Sequence, residues 1–272
     1  MKKYTTKDFQ QEFPTDDACL EYIKNQRWPK GIHCAKCQKV TKHHKVRNRP
    51  CYECDYCGAQ VYPTADTIFH KSPTPLKTWF EVMYRMASTR CGISAKQIQR
   101  ETGVTYKTAW RMFHQIRTLF DDDCEPLTGE VEVDETYIGG KRPGKRGRGA
   151  EGKSKVVGAA QRNGKVVACV VQDVKRKTLV PFMNRMVDRN ATLYTDEFPS
   201  YDHMARIGYK HKRILHHDKV YARGDIHTNS IEGFWSLVKR GIAGVYHSVS
   251  PQYLQSYINE YAFRYNHRKS DT

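Results

Sequence analysis

Three acidic residues sit where they could do phosphodiester chemistry. The stretch EVEVDETYIGG at 130–140 alternates like a strand, with Val131 and Val133 on one face and Glu132 and Asp134 on the other. A second strand, ATLYTD, ends on Asp196, with a helix expected from near Phe198. HTNSIEGFWSLVKR then opens a helix carrying Glu232 in its first turn, with 35 residues between Asp196 and Glu232. Phosphodiester chemistry uses two divalent ions about 4 Å apart to activate the nucleophile and stabilise the leaving oxygen. Mg2+, or Mn2+ in its place, prefers carboxylates and keeps some waters, so few acidic side chains suffice. Lys239, seven residues past Glu232, lies two turns along the same helix face, where it could hold DNA near a scissile bond. Each acid also has an ordinary reading. Asp134 could face solvent, Asp196 could cap a helix, and Glu232 could complete a capping box with Asn229.

A second chemistry belongs to cysteine. Cys34, Cys37, Cys54 and Cys57 form C-x2-C-x16-C-x2-C, two tight turns that each offer two thiolates to one tetrahedral Zn2+. Cys51 offers an alternative to Cys54, although the knuckle Cys-Asp-Tyr-Cys-Gly favours Cys54 and Cys57. So small a module has little apolar core, and the metal would supply much of its folding energy. The flanking Lys36, Lys39, Lys42, Lys45, Arg47 and Arg49 suit contact with DNA.

The elements that must position these groups fall into three regions. Residues 1–70 hold the cysteine cluster among short turn-rich strands. Residues 71–120 read as helices: one from Leu76 to about Thr89, then a pair separated by a turn at Gly103. Ser94 with Gln97 forms a capping box for the first of that pair, and Thr105 caps the second. Ala109, Phe113, Ile116 and Phe120 mark a buried face, leaving Lys107, Thr108, Arg111 and His114 for phosphates and base edges. This fits a helix-turn-helix with 105–118 as the recognition helix, or an ordinary helical hairpin. Residues 121–129 read as a linker, and 129–272 alternate strand and helix as an α/β domain does. Within it, the Gly-rich loop at 139–153 carries Lys141, Arg142, Lys145, Arg146 and Arg148, read either as a solvated connection or as a DNA-contacting insertion.

Composition narrows the partner. Forty-six Lys and Arg against 29 Asp and Glu give a formal charge of +17, a field that recruits polyanions. The longest apolar run, VVACVV at 166–171, is far short of a membrane span. The start MKKYTTKDFQQEF has no apolar stretch, so an intracellular protein is expected, and nine cysteines there argue against a disulfide framework.

With these motifs in order, the chain resembles a bacterial insertion-sequence transposase of the DDE superfamily, of the ISXO type with an N-terminal zinc ribbon. The resemblance rests on the ribbon, TIFHKSPTPLKTWF, the paired helices, VEVDETYIGG, LYTDEFPSY, HTNSIEGFWSLVKRGIAGVYHSVS and YINEYAFRYNHR, and covers nearly the whole chain. It implies a ribonuclease-H-like catalytic domain after a zinc ribbon and a helix-turn-helix. Asp134 would lie on the first strand, Asp196 after the fourth, and the third ligand on the next helix. Members often carry Asn as that third ligand, and Asn229 lies in the same segment; the 35-residue interval and Lys239 favour Glu232. Glu260, Arg264 and Arg268 also match the family pattern, and equally an i to i+4 ladder. The implied protein binds double-stranded terminal repeats and target DNA, works as a dimer or larger paired-end assembly, and resides in the cytoplasm on the nucleoid. A regulator that has lost catalysis, and a nuclease that never joins strands, are the rival readings.

Overall fold

The computed structural model describes residues 4–89, 91–120, 125–139, 152–213 and 227–269. They form two compact units, one of residues up to 89 together with 95–116, the other of 91–94 and 117 onward. The ribbon and the helical middle of the sequence thus share one unit.

In the first unit, α1 (Thr6–Glu12) and α2 (Asp16–Arg27) precede the ribbon strands. These are β1 (His33–Cys34), β2 (Lys39–Val40), β3 (His43–Lys45), β4 (Tyr52–Cys54) and β5 (Gln60–Val61). β1 and β2 pair as a hairpin, and β3, β4 and β5 form an antiparallel sheet. Phe9, Phe13, Cys19 and Ile23 bury against Phe80 of α3 (Leu76–Ser88). Helix α3 begins at Pro75, which offers no capping side chain, and Asp16 supplies the acceptor from α2, taking the Lys77 N–H at 2.8 Å. Helices α4 (Ala95–Thr102) and α5 (Tyr106–Arg117) are joined by three residues. Gly103 turns there with φ +74°, and Thr105 Oγ1 accepts the Thr108 N–H at 3.2 Å, the cap expected from the sequence. Ala109, Met112, Phe113 and Ile116 bury the inner face of α5. Phe120, which already belongs to the second unit, follows in a short 3-10 turn and stacks on Phe263 of that unit.

The second unit is a mixed α/β layer structure. Its strands are β6 (Glu130–Ile138), β7 (Ser154–Gln161), β8 (Val166–Val171), β9 (Thr192–Thr195) and β10 (Lys210–Arg213), with helices α6 (Arg176–Met186), α7 (Asn229–Gly241) and α8 (Leu254–Asn266). The strand order is β10-β9-β6-β7-β8; β6, β7 and β8 run antiparallel in turn, while β6, β9 and β10 are parallel. Val131, Val133, Val157 and Leu193 pack on α6 through Leu179, Phe182 and Met183. On the other face Val156, Ala160 and Val166 pack on α7 and α8 through Ile231, Trp235, Val238 and Ile258. The outer edge of β8 is closed by amide side chains of α8: Gln255 Oε1 accepts the Val170 N–H and Asn266 Oδ1 the Val166 N–H, each at 2.7 Å. Among the described residues, no helix is long and apolar enough to cross a membrane.

Candidate active site and metal centre

The four cysteines converge. Among the described residues they are the group whose ligand atoms all lie within 4.8 Å of one another. Cys34 Sγ is 3.5 Å from Cys57 Sγ, and Cys37 Sγ is 3.9 Å from Cys54 Sγ. Tetrahedral zinc with Zn–S near 2.3 Å needs sulfurs about 3.8 Å apart, so the donor set fits one Zn2+. The Thr41 hydroxyl, 3.2 Å from Cys54 Sγ, is the main influence drawing that thiol down to about 6, toward the thiolate a metal needs. Cys51 is fully buried but stands outside the group, which settles the alternative in favour of Cys54.

The acids are arranged by strand register. Even-numbered residues of β6 face α7, so Asp134 lies under a helix and is half-buried, which corrects the solvent-face alternative. Trp235 Nε1 donates to Asp134 Oδ2 at 3.1 Å. Asp134 pairs with Gly158 on β7, and a Cβ at Gly158 would stand 2.7 Å from the Trp235 ring. Only a glycine leaves room for the indole that reaches the carboxylate. Glu132 pairs with Tyr194, and two residues further along these parallel strands come Asp134 and Asp196. Burial first, then the Glu135 and Asp196 carboxylates, push the Asp134 acid up to about 7. Like charges crowd there, the electrostatic setting that a divalent cation relieves.

Asp196 follows β9, and its Oδ1 accepts the Phe198 N–H at 3.0 Å. The helix expected from Phe198 is instead a single 3-10 turn, Pro199–Tyr201, because Pro199 can open a helical turn and the buried Tyr201 is drawn inward to donate to Glu135 at 3.0 Å. Glu232, Asn229 and Lys239 are exposed on α7. The capping residue of α7 is Thr228, one position before Asn229, and its hydroxyl donates to Glu232 Oε1 at 2.8 Å. The capping box with Asn229 is therefore not formed. Asp134 and Asp196 are near enough for the Asp196 charge to act on Asp134. Among the described residues, no group of three acids that includes Glu232 has its ligand atoms all within 4.8 Å of one another, although the helix of Glu232 covers the same face.

Glu132 is a site residue that the sequence pattern does not single out. Its side chain is fully buried and accepts the Ser230 and Ile231 N–H groups at 2.7 and 3.1 Å, closing the start of α7. Arg162 Nε donates to its other oxygen at 2.9 Å, and Arg162 also donates to the His227 carbonyl at 2.9 Å. Its alternation with Asp134 is a visible signal; its partners lie far along the chain.

On α5, Lys107 is exposed as expected. Thr108 Oγ1 is within 3.0 Å of Thr105 Oγ1, and Arg111 donates to Ser72 at 3.1 Å, so these two also serve their own unit. His114 packs edge-on against Trp110, an exposed aromatic that helical periodicity does not mark as functional. Lys141, Arg142, Lys145, Arg146 and Arg148 lie outside the described residues. Glu260 pairs with Arg264 at 2.7 Å and with Arg117 at 2.8 Å, whereas Arg268 donates to the Gly164 carbonyl. The ladder thus has one rung, and Glu260, 1% exposed, is a core ion pair.

Comparison with known proteins gives this arrangement its class, a zinc-ribbon transposase. Residues 14–60 match a transposase zinc-ribbon domain, and residues 126–266 match the ISXO2-like transposase domain. The chain belongs to the ISXO2-like transposase family. It is 27% identical to a protein in transposable element ISH50 of Halobacterium salinarum, over 93% of this chain and 91% of that one. It is 30% identical to a transposase-like protein of Haemophilus influenzae, over 38% of this chain and 81% of that one. A chain in a structure of the simian T-cell lymphotropic virus intasome with PP2A regulatory subunit B56 gamma aligns with TM-score 0.34 and 10% identity. That alignment covers 64% of this chain and 65% of the other, just under two thirds of its length.

Proposed function

We propose that this transposase cleaves DNA at the ends of its insertion sequence and joins the freed 3′-hydroxyl to target DNA, with Asp134 and Asp196 as the principal acids. The observation that supports this reading is the approach of those carboxylates beside the central strand, where burial first, then the charges of Glu135 and Asp196, hold Asp134 up to about 7. Strand order β10-β9-β6-β7-β8, with β7 alone reversed against the strands on either side of it, supports the ribonuclease-H-like expectation. Two Mg2+ or Mn2+ ions, when bound, would supply activation of the attacking oxygen and stabilisation of the leaving one.

The protein's own groups divide the remaining work. Asp134 and Asp196 would hold the ions, with Glu232 or Asn229 as third ligand presented from α7. Lys239 would take a phosphate beside the scissile bond. Trp235 orients the Asp134 carboxylate by donating its N–H to one oxygen. The pair α4–α5 would serve as a helix-turn-helix, with Lys107, Thr108, Arg111 and His114 facing DNA, and the loop bearing Lys141, Arg142, Lys145, Arg146 and Arg148 would grip phosphates. One structural Zn2+ would hold the ribbon, and pairing of two ends calls for a dimer or larger assembly.

Strand transfer is the test. Labelled duplexes from the DNA flanking the gene are incubated with a supercoiled target and Mg2+. Joined product supports the transposase, cleavage without joining a nuclease, and binding alone a regulator that has lost catalysis.

A further inference from the structure

We propose that Glu132 is a positioning residue that sets the axial register of α7 on β6, and so the distance from Glu232 to the two aspartates. The inference rests on the metal-site reading above. A helix N-terminus leaves N–H groups unpaired, and the residue that starts the helix ordinarily takes one with its own side chain. Thr228 starts α7 but makes no such bond, since its hydroxyl donates to Glu232. The task passes to Glu132, whose Oε2 accepts both the Ser230 and Ile231 N–H groups. Relieved of capping, Thr228 is free to orient Glu232.

A second rung lies further along the same two elements. Trp235, one turn after Ile231, donates to Asp134, two residues after Glu132. Two strand residues rise about 6.6 Å and one helical turn about 5.4 Å, so the rungs climb together. A slip of α7 by one turn would break both at once and leave Glu132 buried without its donors. Glu132 is not itself a metal ligand. Arg162 Nε, Ser230 Oγ and His227 Nδ1 approach its Oε1 at 2.9, 3.2 and 3.2 Å, while two N–H groups fill Oε2.

Mn2+ titration followed by electron paramagnetic resonance of the free ion tests this in the full chain, with Glu132→Ala, Glu132→Gln and Asp196→Asn beside wild type. The Gln side chain keeps an acceptor for Ser230 and Ile231 at the same size, so it is read if the Ala variant fails to fold. Expected are Mn2+ affinities that fall from wild type to Gln to Ala, with Ala weakened tenfold or more. Strand joining at saturating DNA should fall in step, with DNA affinity and zinc content unchanged. Wild-type Mn2+ affinity in the Gln variant, and in a folded Ala variant, would overturn the inference while leaving the metal site standing. A wild-type protein that binds no Mn2+ would overturn the metal site, and the inference with it.

Discussion

Trp235 and Asp134 touch across the gap that Gly158 leaves in the sheet, the indole N–H reaching the carboxylate at 3.1 Å. The contact joins core packing to the acid site, because the same ring fills the interior and restrains one carboxylate oxygen.

Gly158→Ala is expected to push the Trp235 ring away, since the new Cβ would meet it at 2.7 Å. Overpacking of this kind costs about 1–3 kcal/mol, read as a lowered midpoint in denaturant unfolding. Strand joining should fall with it. An unchanged midpoint would mean the sheet yields easily there.

The ribbon makes a prediction that separates neighbouring cysteines. Cys51→Ser should retain one zinc per chain, because Cys51 is buried outside the sulfur group, whereas Cys54→Ser should lose it. Zinc content by atomic emission decides. Chelation of wild type should unfold the ribbon, since the metal supplies much of its folding energy.

How much of the site is legible in the sequence depends on the distance between partners along the chain. Strand alternation and the C-x2-C pairs are local patterns, so Asp134, Asp196 and the four cysteines stand out from the sequence alone. The role of Glu132 does not, because its donors lie 98 and 99 residues downstream, and no local period links a strand to a helix terminus. Glu260 misleads in another way. Its four-residue spacing to Arg264 resembles a surface ladder, but burial and Arg117, 143 residues earlier in the chain, make it a core pair.

The buried pair gives a pH dependence. Burial pushes the Glu260 carboxyl up, but Arg117 and Arg264 outweigh it and hold the group below its ordinary value of 4.5. A depressed carboxylate stabilises the fold above its unfolded pKa, and that stability is lost as pH falls through the lower folded value. Wild type should therefore keep this contribution at neutral pH and lose it progressively as pH falls below the ordinary 4.5 and through the lower folded value. Glu260→Gln should cost about 3–5 kcal/mol at neutral pH, leaving Arg117 buried without its counter-charge, and the difference should shrink in acid. Denaturant melts across pH would show it; a constant gap would contradict the pairing.

The exposed face of α5 separates charge from packing. Lys107→Ala should weaken DNA binding across sequences and reduce the salt slope by about 1, as loss of one phosphate contact does. Trp110→Ala should leave the slope intact while narrowing the preference for terminal-repeat over random DNA. Fluorescence anisotropy at several salt concentrations distinguishes them.

Whether Asp134 and Asp196 touch the catalytic ions is tested most directly by metal-specificity switching. Asp134→Cys and Asp196→Cys replace a hard oxygen donor by a soft thiolate, which Mg2+ rejects and Mn2+ accepts more readily. Strand joining is measured with pre-cut ends in each metal. Loss of joining in Mg2+ with recovery in Mn2+ is predicted for both variants, and wild-type joining in Mg2+ by either would contradict the assignment.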